Sequence, residues 1–312
     1  MDIGYLESIA NECNIYDESD IGSSINKILA LDERFEKNNL VQIYNYLLSK
    51  AKNPEIIMNI IRCSDRLRDK SSLNPLLDLL MMKNLDTDTD SYINVRVMCA
   101  KAIANLKDTS AVTPLLYCLN NKDENYKIRL ACADALGIIG DRYAVAPLIA
   151  VVKDENEKSV YLRESAVAAL GMLGDLRAVE PLVGLLEAQK GIWDKFTFFR
   201  EKIIEALGKL VMDDDERAFN ALKNSLIDES AQIRINAIEA IMESRNPKAA
   251  DTIKKSLYED KDEEVKKNAM IALYNLVGRE ILDEVIQNPN FSDALKIEAV
   301  SIISEYEDKN DA

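Results

Sequence analysis

Acidic and basic side chains recur along this chain at a nearly constant spacing, and they are the first residues that could do chemistry. A basic residue returns every 32 to 37 positions, and an acidic residue stands six positions before each one. The basic residues are Arg96, Arg129, Arg163, Arg200, Arg234 and Lys266, and the acidic residues are Asp90, Asp123, Glu157, Asp194, Asp228 and Asp260. We call this set the arginine ladder. A carboxylate at the start of a helix accepts backbone N–H groups, and stacked units would bring each acid towards the base of a neighbour. We expect these pairs at the surface, where each contributes about 0–1 kcal/mol and mainly sets register.

The other chemically reactive residue types in the sequence argue against a catalytic or metal site. The sequence contains no histidine, which removes the most common general acid or base and the most common metal ligand. The five cysteines form no CxxC pair, and Cys99 and Cys132 occupy a small position that predicts burial. The acidic runs Asp213–Glu216 and Glu259–Glu264 lack the glycine and ligand spacing of a calcium loop. We therefore expect no catalytic residue, no cofactor and no metal.

The charge balance bears on the partner. The net charge is −15, so the field of the protein opposes binding to nucleic acid or to an anionic membrane. The N-terminus lacks a basic start followed by an apolar run, and no apolar stretch reaches about 18 residues. We expect a cytoplasmic protein whose partner is a protein or peptide, with a basic or amphipathic segment the best match.

The ladder lies on an internal repeat. Residues 128–149 (IRLACADALGIIGDRYAVAPLI) and 162–183 (LRESAVAALGMLGDLRAVEPLV) align with Arg129 and Arg163 in register, and a period of this length is typical of helical repeat arrays. The sequence pattern predicts two helices in each repeat unit. The first helix has proline in its first turn, and the second helix carries the ladder base. Six positions after that base stands an alanine, which allows close helix packing. These alanines are Ala102, Ala135, Ala169, Ala206, Ala240 and Ala272.

The repeat predicts an all-α fold, a right-handed α-solenoid of antiparallel helix pairs of the HEAT-like or armadillo-like kind. We expect one continuous solenoid in three stretches: degenerate capping helices over residues 1–72, about seven repeats over 73–306, and a disordered tail over 307–312. Apolar residues at helical spacing, among them Ile28, Leu47 and Ile60, indicate helices in the first stretch.

The pattern R..A..AL..(I/L)GD…AV.PL, with an acid six positions before the arginine, resembles a HEAT repeat. It is most similar to the subtype named after the phycobilisome bilin lyases, over about residues 73–306. This resemblance implies an α-solenoid and is compatible with several roles. Deoxyhypusine hydroxylase is also similar, but that family binds iron through His-Glu pairs, which this sequence cannot form. A DNA glycosylase of HEAT-like fold would need a basic groove, which is contrary to the net charge of −15 of this chain.

An aromatic segment is the first candidate for partner binding. The connection Ala188–Arg200 (AQKGIWDKFTFFR) holds the only tryptophan, Trp193, together with Lys195 and Phe196. Aromatic residues are favoured anchors at protein interfaces. The alternative is that the segment only packs its longer loop against neighbouring helices, with Phe199 at a core position.

The surface of the second helices, which line the concave face in a HEAT-like array, is the second candidate. Five and nine positions after each ladder base, the side chain lies off the core face. In the middle of the chain these positions include the apolar Ile138 and Met172. Towards the C-terminus they are charged, namely Glu205, Lys209, Glu239 and Glu243. Such a strip could receive a peptide or helix, or it could be an ordinary solvated face. We therefore expect a non-catalytic protein-binding scaffold or adaptor; the alternative is a subunit of a bilin (phycobiliprotein chromophore) lyase.

Overall fold

Apolar residues at helical spacing produce eighteen α-helices in the part of the chain that the computed structural model describes. The structure describes residues 1–17, 19–82, 89–188, 197–211, 216–244 and 246–310, and no strand occurs within these ranges. The helices are α1 (Ile3–Glu12), α2 (Ile21–Arg34), α3 (Lys37–Lys50), α4 (Pro54–Leu67), α5 (Leu73–Met81), α6 (Asp90–Leu106), α7 (Val112–Asn120), α8 (Tyr126–Ile139), α9 (Val145–Lys153), α10 (Val160–Leu173), α11 (Val179–Glu187), α12 (Thr197–Leu210), α13 (Glu216–Ser225), α14 (Ala231–Glu243), α15 (Ala249–Glu259), α16 (Glu263–Val277), α17 (Glu280–Gln287) and α18 (Asp293–Asn310).

The helices pack as hairpins in which odd-numbered first helices contact even-numbered second helices, as in α5 with α6 and α15 with α16. The chain divides into two compact units, residues 1–169 and 170–312, with the division inside α10. In the first unit α2, α4, α6 and α8 pack successively against one another, and so do α1, α3 and α5. In the second unit α12, α14, α16 and α18 do the same. The predicted all-α solenoid of helix pairs is confirmed.

A residue with positive φ followed by an aspartate connects several hairpins to the next; the positive-φ residue is glycine before Asp141 and Asp175, and Arg68 or Lys107 before Asp69 or Asp108. Gly140 and Gly174 have positive φ angles of 81° and 63°, a conformation that ends a helix without a steric penalty only for glycine. The aspartate that follows caps a short 3₁₀ turn, because its carboxylate accepts the backbone N–H two residues later at 2.9–3.0 Å. The capping residues are Asp69, Asp108, Asp141 and Asp175. In the repeated GD pair, the glycine therefore ends one helix and the aspartate caps the turn that reverses the chain direction.

Small residues set the distance between second helices. The six alanines of the repeat are all buried, and in the second unit Ala206 and Ala240 face glycines. A Cβ added to Gly171 would lie 3.1 Å from the Ala206 Cα, and one added to Gly208 would lie 2.9 Å from the Ala240 Cα. The helices thus meet with backbone against backbone, as the alanine pattern predicts.

Both ends of the array are helical. Residues 1–72 form α1–α4 and a 3₁₀ turn at Lys70–Ser72, and α3 and α4 pack on α5 and α6. At the other end α18 extends to Asn310, so residues 307–310 are helical where we expected a disordered tail. The physical reason is that no glycine or proline interrupts residues 293–310. The predicted boundaries at residues 72 and 306 stay predictions.

Substituting Gly208 tests the close helix approach. We expect Gly208→Ala to lower the free energy of unfolding by about 1–3 kcal/mol, because its Cβ would overlap the Ala240 backbone. Gly184→Ala is the matched control, since no atom lies within 4 Å of its added Cβ. That substitution should raise stability by about 0.4–1 kcal/mol. Thermal unfolding followed by circular dichroism checks both; a stability gain in both variants would contradict the packing.

Candidate binding surfaces

Arginines of the ladder connect several of the described hairpins to the loop of the following one. Arg129 donates a hydrogen bond to Glu157 at 2.7 Å, and Arg234 donates two to Asp260 at 2.7 and 2.9 Å. Arg200 pairs in the same way with Asp228. Each acid also accepts the backbone N–H two residues later. Thus one carboxylate holds both the neighbouring guanidinium and its own loop, and the predicted pairing of acids with bases is confirmed for these three pairs.

Four ladder residues depart from the expected pairing. Arg96 bonds to Glu124 at 3.0 and 2.6 Å, because the longer side chain one position after Asp123 reaches the guanidinium, while Asp123 stays exposed. Asp90 begins α6 and lies 3.9 Å from Lys127 at the solvent-exposed edge. Lys266 pairs with Glu263 on its own helix at 3.0 Å. Asp194 lies outside the described residues.

The ion pairs of the ladder arginines in the first unit are buried, so the expectation of surface pairs is wrong there, while Arg200–Asp228 and Arg234–Asp260 are partly buried. The side chains of Arg129 and Glu157 are only 7% and 8% exposed, and Arg96 with Glu124 is equally buried. Arg163 is 2% exposed, and burial lowers the pKa of its guanidinium. The following loop and hairpin cover these groups, which spacing along the chain does not reveal. A buried ion pair is costly to break because the remaining charge loses its partner in a dry site.

The same arginines also bond to the first helix of their own hairpin, a contact that sequence reasoning missed. Arg96 donates to the carbonyl of Leu80, Arg129 to that of Leu119, and Arg163 to that of Val152, at 2.7, 2.9 and 2.5 Å. Each acceptor is the penultimate residue of its helix. A cation at this place satisfies a carbonyl without an intrahelical partner and offsets the helix dipole.

The second-helix surface is exposed at the predicted apolar positions. In the first unit Ile138 on α8 is 41% exposed, and in the second unit Met172 at the end of α10 is 46% exposed. Polar neighbours in the first unit are paired among themselves, since Asn105 donates to Asp65 at 2.9 and 3.1 Å. Burial raises the pKa of Asp134.

The charged part of this surface lies in the second unit. On α12, Glu205 bridges Lys202 and Lys209 at 2.6 and 2.7 Å, so these charges are largely satisfied within one helix. On α14, Glu239 and Glu243 are exposed, and no described cation forms an ion pair with either. Like charges four residues apart destabilise an isolated helix slightly. The two glutamates therefore remain available to an external cation.

The aromatic segment can be compared with the structure only at its edge. Trp193, Lys195 and Phe196 lie outside the described residues, so their proposed binding role stays a prediction. Phe199 is 3% exposed, which confirms its core position. The five cysteines are buried and none forms a disulfide; the burial of Cys99 and Cys132 is as predicted. Among the described residues no group of three metal-ligating side chains comes together.

The described fold and its ladder define a helical-repeat protein of the α-solenoid class. A family model for HEAT repeats matches residues 83–161, 122–195 and 194–274, which together cover more than half of the chain. The chain belongs to the HEAT-repeat family, as its repeat predicts. No curated protein sequence matches it. Within the described residues, no helix is both long enough and apolar enough to span a bilayer.

Three solved structures are similar in fold. The complex of CpcE and CpcF of phycocyanin lyase from Nostoc sp. PCC7120 shows 21% identity over 75% of this chain and 87% of that one, with a TM-score of 0.48. Human deoxyhypusine hydroxylase shows 16% identity over 87% and 96%, with a TM-score of 0.35. Kap121p shows 13% identity over 96% and 41%, with a TM-score of 0.49. None of these likenesses assigns an activity to this chain.

Removing one ladder arginine tests how much the buried ion pairs contribute to the free energy of unfolding. We expect Arg129→Met to lower the free energy of unfolding by about 3–5 kcal/mol, since Glu157 and the Leu119 carbonyl would lose their partner. Lys122→Met is the control: Lys122 pairs with Asp154 in the same two loops but is 68% exposed. Its loss should cost at most about 1 kcal/mol. Urea unfolding measures both, and equal losses would contradict the buried ladder.

The Arg234–Asp260 pair predicts a pH dependence. Burial acts to raise the pKa of Asp260, but hydrogen bonds and the charge of Arg234 outweigh it and hold the pKa below its ordinary value. A lowered folded-state pKa stabilises the fold above the unfolded-state pKa of about 3.9, and this stabilisation disappears as the pH falls through the folded-state pKa. The stability difference between wild type and Arg234→Gln should therefore shrink between pH 5 and pH 3. Melting curves across that range check it; a constant difference would contradict the charge effect.

Proposed function

We propose that this chain is a non-catalytic scaffold that binds a protein or peptide partner through the exposed surface of its second helices. The observation that carries the proposal is the exposure of Ile138 and Met172 on ordered helices at the two predicted positions. Covering one such side chain completely stabilises a complex by up to about 1.5–3 kcal/mol. Membership of the HEAT-repeat family supports this choice, because stacked hairpins offer extended surfaces for partners.

The charges of the second unit favour a partner segment with basic residues. Glu239 and Glu243 are exposed one helical turn apart on α14. A lysine or arginine of a bound segment could approach both carboxylates, while the net charge of −15 would speed its association. An amphipathic segment would add contacts with the exposed methionine. The partner therefore combines apolar and basic side chains.

Affinity capture from the source cell with matched variants tests the proposal. We expect Met172→Glu, and separately Glu239→Lys with Glu243→Lys, to reduce recovery of the partner about tenfold, the effect of losing about 1.4 kcal/mol. Tyr117→Glu is the control, because Tyr117 is 65% exposed but lies on the first helix α7. Trp193→Ala tests the aromatic segment separately. Partners recovered equally with all variants would contradict both sites.

The bilin lyase alternative predicts a different result with the same purified protein. Incubation with a bilin and an apo-phycobiliprotein would then give a covalent coloured adduct, detected by denaturing electrophoresis and absorption. We expect no adduct, because the sequence lacks histidine and the cysteines are buried. A coloured adduct formed at a catalytic rate would replace the scaffold proposal.

A further inference from the structure

A cavity of about 720 Å³ lies in the second unit at the edge that carries the ladder. Its walls are the end of α13 with the loop to α14 on one side, and α15 with the start of the next loop on the other. The Arg234–Asp260 pair forms part of the wall. None of the residues proposed above to bind a partner (Ile138, Met172, Glu205, Lys209, Glu239 and Glu243) lines it.

Two hydroxyl side chains of α15 line the inner part of this cavity. Thr252 and Ser256 are only 9% and 7% exposed and stand four residues apart, so they share one face of the helix. Neither hydroxyl makes a hydrogen bond to any described residue. Neither hydroxyl oxygen is fully enclosed by the protein, so both are open to the cavity and can donate a hydrogen bond to a bound group.

These hydroxyls depart from the repeat. Counted from the capping residue of the preceding turn, which here is Asn246, Thr252 is the sixth residue and Ser256 the tenth. In four other hairpins the sixth residue is proline: Pro75, Pro114, Pro147 and Pro181. The tenth residue is apolar in the same hairpins: Leu79, Cys118, Val151 and Leu185. Packing of the hairpin thus requires no hydroxyl at either position.

Only some of the charged side chains around the cavity form ion pairs within the described part of the chain. The wall carboxylates Asp228 and Asp260 are paired with ladder arginines. Three exposed lysines, Lys223, Lys255 and Lys261, line the cavity without an ion pair to any described carboxylate. Two exposed glutamates, Glu229 and Glu259, line it as well. Among these unpaired charges the lysines exceed the glutamates by one, although the chain as a whole carries a net charge of −15.

An exposed apolar side chain stands beside these polar groups. Ile227 is 86% exposed and lines the same cavity. A ligand that fills the cavity would cover Ile227 while one of its groups accepts hydrogen bonds from the hydroxyls. Both features can be met by one short peptide that carries an acidic and an apolar residue.

We propose that this cavity binds an acidic peptide segment. One carboxylate accepts hydrogen bonds from the hydroxyls of Thr252 and Ser256 and lies against the ammonium groups of Lys223 and Lys255. A neighbouring apolar side chain of the segment covers Ile227. The site is separate from the second-helix surface and does not depend on the function proposed for it.

A second cavity supplies an internal comparison. It lies at the ladder edge of the first unit, has a volume of about 580 Å³, and is lined by Tyr126 and Tyr161. Its lysine Lys122 is paired with Asp154 at 2.7 Å. No hydroxyl of a first helix lines it. Its donors are instead the ammonium group of Lys158 and the hydroxyls of Ser159, Tyr126 and Tyr161, which lie on the loop and on second helices.

The test is a methyl-labelled NMR titration of the full chain with the peptide acetyl-Leu-Glu-Leu-Glu-amide. We expect a saturable shift of the Ile227 methyl signal. Binding should weaken about tenfold when Thr252→Val and Ser256→Ala are combined, because hydrogen bonds to a charged acceptor are lost. Lys223→Gln should weaken it as well, whereas Lys122→Gln in the first unit should not. The matched peptide acetyl-Leu-Gln-Leu-Gln-amide should bind about tenfold more weakly.

The double variant should keep its melting temperature, because other hairpins carry apolar residues or proline at both positions. An unmoved Ile227 signal, or equal binding of the Glu and Gln peptides, would overturn the proposal. Equal affinity in the hydroxyl variant would overturn the role of Thr252 and Ser256. If inorganic phosphate shifts Ile227 at lower concentration than the acidic peptide does, the site is a phosphate site and the peptide assignment is wrong.

Discussion

A buried guanidinium that joins three parts of the chain is the interaction on which the described hairpins depend. Arg129 shows it fully: its side chain starts on α8, donates to the Leu119 carbonyl at the end of α7, and donates to Glu157 in the following loop. Removing such a charge from water costs several kcal/mol, which only good geometry and several hydrogen bonds offset. Arginine suits this role because its planar group presents donors in several fixed directions.

Hairpins that lack an arginine–acid ladder pair still have a polar contact at the corresponding place. Where the ladder position holds Lys266, the loop ahead carries Asn290 in place of an acid, and the ammonium pairs with Glu263 on its own helix. In the first hairpins, which lack the ladder, Asp32 is the shared acceptor of Tyr44 at 2.6 Å and of Arg66. A polar connection between successive hairpins thus persists while its residues change. The close contacts of Gly171 and Gly208 hold the second helices at the matching distance.

This internal use of charge decides what remains for partners. Ladder carboxylates such as Glu157 and Asp260 are engaged within the chain, so the strongly charged edge offers fewer free groups than its composition indicates. Free charges remain on α14, where Glu239 and Glu243 point to a basic segment, and around the cavity lined by Thr252 and Ser256, where lysines are in excess. The two sites differ in sign, so one partner with segregated charges could use both. Membership of the HEAT-repeat family accounts for the architecture. The proposed binding sites lie where the residues depart from the repeat pattern.

Much of the architecture was determined by the sequence alone. A period of about 34 residues, the alanine column and the GD pair specify helix hairpins with one buried face, and the core position of Phe199 follows from the same register. These features are local, since they depend on which residues share a helix face. The exposure of Ile138 and Met172 was predictable for the same reason.

Only the tertiary structure decided which charges are buried and which donors lack partners. Spacing places Glu157 before Arg163, but its partner is Arg129 in the preceding hairpin, and the covering loop makes the pair buried. The choice of Glu124 over Asp123 depends on reach across the interface. Likewise, Thr252 and Ser256 read as ordinary polar residues until the cavity beside them is seen. Burial and long-range pairing arise where separate hairpins meet, and a pattern within one hairpin carries no information about the surface that covers it.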